Sequence, residues 1–142
     1  MQNLILAAVA AMASLATFGE ARTWTGNGGS TTFANAGNWD PVGTPQSGDT
    51  LTFNSELTLS DALNIGADGL TLVCNQAVTL AGVLSGSGKL TKDGDSLLIL
   101  KAANSYSGGT LVLDGELRKS GDSTAALGTG PIEIRRASEQ PR

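Results

Sequence analysis

Leucine-led strand candidates recur along this chain at a nearly fixed interval, and no other feature restricts its fold so severely. One series begins at Leu51, Leu70, Leu90, Leu111 and Ile132, with steps of 19, 20, 21 and 21 residues. A second holds Leu57 with Leu59, Val78 with Leu80, Leu98 with Leu100, and then Leu117, and it trails the first by a similar offset each time. Two short strands therefore repeat per period, separated by corners rich in Gly, Asp, Asn and Ser. One coil of a parallel β-solenoid requires this arrangement, with about 20 residues per coil. Successive coils pair about 4.8 Å apart, so inward side chains at matching positions form apolar ladders, and a single coil has no core. Leucine-rich repeats share the period but need Leu-x-x-Leu-x-Leu spacing, and no copy of it is present. The competing fold is an antiparallel sandwich, which also places strands every ~8–12 residues.

Composition suits short strands and turns: 19 of 142 residues are glycine and only 4% are aromatic. It also removes most catalytic architectures. There is no histidine and one cysteine, so no Ser-His-Asp triad, Cys-His nucleophile, histidine-ligated zinc or internal disulfide can be built. A formal net charge of −4 and the absence of a basic patch argue against nucleic acid as a partner. Cys74 shares one strand face with Leu70 and Leu72 by period-2 alternation, which predicts a small buried core residue rather than a reactive thiol.

Motifs that carry chemistry fail on inspection. Ser85 to Lys89 superficially matches a phosphate loop, but Val83 stands where the first glycine belongs and Leu90 follows the lysine. The Gly86-Ser87-Gly88 run has Thr91 in the third glycine's place, so it is no dinucleotide fingerprint. Asp93, Gly94 and Asp95 lack calcium-loop spacing. Asp68, Asp93, Asp95, Asp114 and Glu116 are the raw material for carboxylate chemistry. Asp93 and Asp114, 21 residues apart, become neighbours on a solenoid. The corners are too short to wall off a cleft around them. No catalytic, cofactor or metal site is expected, and alternating Asp, Lys and Glu at outward positions reads as a solubilising face.

Residues Leu4 to Phe18 form an apolar run of about 15 residues followed by small side chains, the pattern of an export signal. Cleavage is expected after Ala21, with Ala16 as the second choice. The run is shorter than the ~20 residues needed to cross a bilayer, and no later segment is apolar enough to span. Beyond Ile134, the tail 135–142 is polar and lacks strand pattern.

Leu90, Lys92, Gly94, Leu98, Leu100, Asn104, Tyr106, Gly108, Gly109, Thr110, Val112, Gly115 and Leu117 form an ordered motif. The stretch LTKDGDSLLILKAANSYSGGTLVLDGEL resembles the autotransporter-associated β-strand repeat of secreted bacterial passenger regions. LAGVLSGSGKL is similar to its lead-in, and ALGTGPIEI to its continuation. Ser96 and Ala102 depart from the family, which usually has glycine there. The block from Thr23 to Phe53, with Trp24, Trp39, Pro45 and Asp49 in order, resembles the leader that often precedes such repeats.

The motif also has a physical reading. Gly108 and Gly109 are expected to take positive φ at a tight corner. Asn104 satisfies backbone groups in a turn or stacks on polar residues of neighbouring coils. Tyr106 sets its polar tip at the rim. Trp24 and Trp39 cover the N-terminal end of the stack, with a sugar-stacking platform as the sharper alternative.

The resemblance implies an all-β, right-handed parallel β-helix and an extracellular or outer-surface location after export. The layout expected is a signal peptide over 1–21, leader and cap over 22–50, repeats over 51–134 and the tail over 135–142. The function expected is a non-enzymatic surface stalk or adhesin-like passenger. Its partners would be host or extracellular glycans or proteins, and its coils would stack on further repeats of a longer chain. A carbohydrate-binding or polysaccharide-degrading module on the same scaffold is the alternative.

Overall fold

The computed structural model describes residues 19–120 and 126–135. Residues 1–18, which carry most of the expected export signal, and the tail from 136 onward lie outside the described residues. The elements are β1 (Ala21–Trp24), a single 3-10 turn (Ala36–Asn38), β2 (Trp39–Asp40), β3 (Thr50–Phe53), β4 (Leu57–Leu59) and β5 (Leu63–Asn64). They continue as β6 (Leu70–Cys74), β7 (Val78–Leu80), β8 (Leu84–Ser85), β9 (Leu90–Asp93), β10 (Leu97–Leu100), β11 (Thr110–Val112), β12 (Glu116–Lys119) and β13 (Ile132–Ile134). Among the described residues there is no α-helix.

The strands form three sheets that run up a solenoid of about four coils. The first has the order β13-β11-β9-β6-β3-β1-β2, the second β12-β10-β7-β4 and the third β5-β8. Every pairing is parallel except β1 with β2. Sequence-distant strands pair because each coil returns the chain to the same face one rung higher. The antiparallel β1–β2 contact belongs to the N-terminal block, which folds back on itself before the coils begin.

The second strand series holds its expected register: Leu57, Val78, Leu98 and Leu117 stand on one another, as do Leu59, Leu80 and Leu100. The first series needs a correction. Leu51 stands opposite Leu72, not Leu70, while Leu70 aligns with Leu90, Thr110 and Ile132. Leu111 is opposite Thr91 and Glu133, on the outward parity of its strand and outside the main core cluster. The reason is that coil lengths vary by a residue or two. Aligning each coil on its first leucine therefore flips parity wherever the strand begins one residue earlier.

The interior is a column of aliphatic rungs, with Leu51, Leu72, Leu80, Leu90, Leu98 and Leu100 fully or almost fully buried. Burying one leucine contributes about 1.5–3 kcal/mol, and ordering each residue costs roughly 1–2 kcal/mol. A lone coil with a few inward leucines therefore cannot hold itself together; the stack can.

At one corner the coils approach too closely for any side chain. The Gly88 amide donates to the Gly66 carbonyl at 2.7 Å and the Gly108 amide to the Gly88 carbonyl at 2.9 Å. A Cβ on Gly108 would collide with the Gly88 backbone. Gly109 takes the left-handed conformation expected of it, with φ of +102°, whereas Gly108 does not. The second glycine of the pair supplies the turn and the first supplies the clearance.

Candidate functional site

Lys92 is the side chain that departs furthest from expectation. It shares strand parity with Leu90, so it points inward, in register with Leu72 and Val112, and is fully buried. Its ammonium donates to the carbonyls of Asp93 at 2.8 Å, Gly94 at 2.7 Å and Asp114 at 3.0 Å. The first two belong to its own corner and the third to the corner one coil higher, so the lysine ties two coils together. Gly115 leaves room for this seat, because a Cβ there would lie 2.6 Å from Nζ. Asp93 and Asp114 each place a backbone carbonyl on the Lys92 ammonium. Each carboxylate, however, accepts from the following glycine amide, at 2.8 Å and 2.7 Å respectively, as a turn cap does. The parity of Lys92 with Leu90 was the signal in the sequence that could have found it.

Burial lowers the pKa of Lys92, opposed by Cys74, Asp114, Asp93 and Asp95. Burial pushes the Cys74 thiol up from 9.0 to about 11, with the Lys92 charge opposing. An acid whose folded pKa is raised contributes stability that is complete below its unfolded pKa and is lost as pH climbs through the folded one. The Cys74 contribution, about 2–3 kcal/mol, should therefore be lost between pH 9.0 and about 11, while Lys92, with its pKa lowered by burial, adds stability over the alkaline range as it gives up its costly buried charge. Denaturant titrations across that range should show wild type losing stability relative to Cys74→Ala.

Asn104 takes over the third ladder where β5 and β8 end. Its carboxamide oxygen accepts from the Leu84 amide at 2.8 Å and its nitrogen donates to the Ala126 carbonyl at 2.6 Å. One side chain thus makes the rungs to the coil below and the coil above, rather than stacking on polar neighbours. Asn104→Leu would leave a buried donor and a buried acceptor without partners, and should cost about 2–4 kcal/mol in chemical denaturation.

Tyr106 corrects another expectation. The ring lies inside the stack, fully buried, and its hydroxyl pairs with Thr110 Oγ1 at 2.7 Å. Burial raises its pKa, opposed by that hydrogen bond. The Thr110 hydroxyl in turn donates to the Leu127 carbonyl, so a polar tip is satisfied internally and has no need of the rim.

The two ends of the column differ. At the N-terminal end Trp24 and Trp39 meet edge to face with centroids 5.1 Å apart, and Trp39 packs on Phe53 at 5.7 Å and on Phe33 at 6.3 Å. Trp39 also donates through Nε1 to the Phe33 carbonyl. Both indoles are buried, so they form the expected lid and offer no platform for stacking a sugar. A buried ion pair, Arg22 to Asp49 at 3.0 Å, fixes the lid to the sheet. The Asp49 carboxylate also accepts from the Glu20 and Gln46 amides. At the C-terminal end of the described residues, Ile132 and Ile134 are 54% and 64% exposed. With Val112, Leu117 and Leu127 they line a shallow cavity of about 290 Å³.

Among the described residues no group of His, Cys, Asp and Glu is placed to hold a metal ion. None of their helices is long and apolar enough to cross a membrane.

Residues 90–118, which contain the lysine seat, the asparagine rung and the glycine corner, match the family model of the passenger-associated-transport-repeat. The chain carries an autotransporter passenger repeat. Over 96 residues it is also 34% identical to the adhesin BmaC autotransporter of Brucella suis biovar 1, a match that takes in 66% of this chain and 3% of that adhesin. The chain thus spans a small fraction of the curated relative it matches. No solved structure gives a significant match. Within the matched repeat, Lys92, Asn104 and Thr110 are each consumed in joining one coil to the next.

Proposed function

We propose that this chain is a segment of an exported surface protein, a right-handed β-helical stalk that gives mechanical reach to an adhesin-like passenger and has no catalytic role. The observation that carries the reading is the unbroken parallel ladder from β3 to β13 in the first sheet, which converts every coil into about 4.8 Å of axial length. Right-handed winding follows the near-universal hand of parallel crossovers. Resemblance to an autotransporter adhesin over 96 residues supports an outer-surface location, with extracellular glycans or proteins as partners and further coils as neighbours in a longer passenger. Motif residues Leu90, Leu98, Leu100 and Val112 are assigned to the inward ladder, and Lys92, Asn104, Tyr106 and Thr110 to its internal polar ties.

The test is display on intact cells of a Gram-negative host carrying the gene. Antibody against the coils should label unpermeabilised cells, and added protease should remove the label. Chain retained in the cytoplasm with an intact leader would overturn the reading. The polysaccharide-degrading alternative predicts release of reducing ends that is lost in Asp93→Asn or Asp114→Asn; none is expected.

A further inference from the structure

The faces of both indoles are buried in the lid, but their polar edges differ. Trp39 Nε1 donates to the Phe33 carbonyl. Trp24 is 8% exposed, yet its Nε1 has no hydrogen-bond partner among the described residues. No fully buried side-chain nitrogen or oxygen among them is left unsatisfied, so this N–H opens to the outside. A donor shut away without a partner is costly, and here water or a ligand has to meet it.

The opening is a shallow depression of about 410 Å³ between the loop 26–31 and the corner that joins β3 to β4. Gly26 keeps the approach clear, since a Cβ there would lie 3.4 Å from Trp24 Nε1. Thr31, Ser55 and Glu56 line the same depression and are exposed. Their side chains have no hydrogen-bond or ionic partner among the described residues. Half-buried Leu57 adds an apolar contact.

We propose that this depression binds one neutral sugar ring of an extracellular glycan, held at the edge of Trp24 and not on its face. The indole N–H donates to one ring hydroxyl, the Glu56 carboxylate accepts from a neighbouring one, and the Thr31 and Ser55 hydroxyls can do either. Leu57 meets the C–H side of the ring. The donor set selects this class. An anion would face Glu56 with no lysine or arginine in the lining to offset it. A cation would leave the N–H unmet, and an apolar ligand would leave both groups unmet. Adjacent hydroxyls satisfy a fixed donor and a fixed acceptor at once. The proposal rests on the outer-surface reading for where such a glycan is met.

Nuclear magnetic resonance on the 15N-labelled 142-residue chain is the test. Its two tryptophans give two indole N–H signals, which Trp24→Phe assigns. Without ligand, the Trp24 N–H should exchange with deuterium at least tenfold faster than the Trp39 N–H, and equal, slow exchange would overturn the proposal by showing the edge covered. Methyl glycosides of glucose, galactose and mannose are then titrated, with glycerol, glucuronate and N-methylacetamide as controls. At least one neutral glycoside should shift the Trp24 signal saturably and leave the Trp39 signal in place. Glu56→Ala, at an exposed corner, should weaken that binding at least tenfold, and Glu56→Gln less, because its neutral amide oxygen still accepts. No shift with any glycoside, an equal shift with any of the three controls, or unchanged binding in Glu56→Ala would overturn the proposal. The display test on cells stays separate: absent sugar binding leaves surface labelling intact, and absent labelling leaves the titration intact.

Discussion

Trp39→Ala is expected to lower the unfolding free energy by about 3–5 kcal/mol, the usual cost of removing a large buried aromatic. The indole is 1% exposed and touches Trp24, Phe33 and Phe53. It also supplies the donor that holds the Phe33 carbonyl. Its loss opens a cavity at the point where the column meets water, and that exposes Phe53 and the first aliphatic rungs. Urea denaturation followed by strand circular dichroism should show a lower midpoint with a similar slope. Trp39→Phe should recover part of the loss by refilling the space while still lacking the hydrogen bond. A Trp39→Ala variant with unchanged stability would mean that the lid is not part of the cooperative unit.

The second large effect is expected at Gly88. A Cβ there would strike the Gly69 amide nitrogen and lie 2.6 Å from the Gly66 carbonyl oxygen. All of these are backbone atoms, with no flexible side chain to give way. Two coils must then separate locally, which weakens the Gly88–Gly66 and Gly108–Gly88 hydrogen bonds. Gly88→Ala should cost about 3 kcal/mol, at the upper end of overpacking effects. Gly29→Ala is the control. It has positive φ but nothing within 4 Å of the added methyl, so only backbone strain of about 1 kcal/mol is expected. Equal effects at both sites would show that coil clearance is not what the glycine provides.

These positions also show how much could be read before any coordinates. The period, the parallel stacking and the register of Leu57, Val78, Leu98 and Leu117 were legible because inward aliphatic residues repeat with little noise on that face. Cys74 and the two tryptophans were legible for the same reason: apolar parity and the need to close an open end. The register of the first series was not, because coil length drifts and a leucine at a strand's start looks like a leucine one place later. Thus Leu51 seats on Leu72, and Leu111 falls on the outward parity. Lys92, Tyr106 and Asn104 were misread or only half read. Their polar atoms suggest surface, and only geometry shows carbonyls from a neighbouring coil waiting for the lysine and the amide. The antiparallel β1–β2 fold-back left no periodic trace, because it occurs once.

The central claim is that consecutive coils rise one rung at a time, in parallel register. Thr58, Thr79, Ile99 and Arg118 occupy successive outward rungs of the second sheet, so Thr58 and Arg118 are three rungs apart, about 14 Å. Spin labels placed there through Thr58→Cys and Arg118→Cys, in a Cys74→Ala background, report this distance directly by dipolar broadening. A narrow distribution near ~14 Å is the predicted result. A separation beyond ~25 Å, as strands five or more rungs apart would give, contradicts the account.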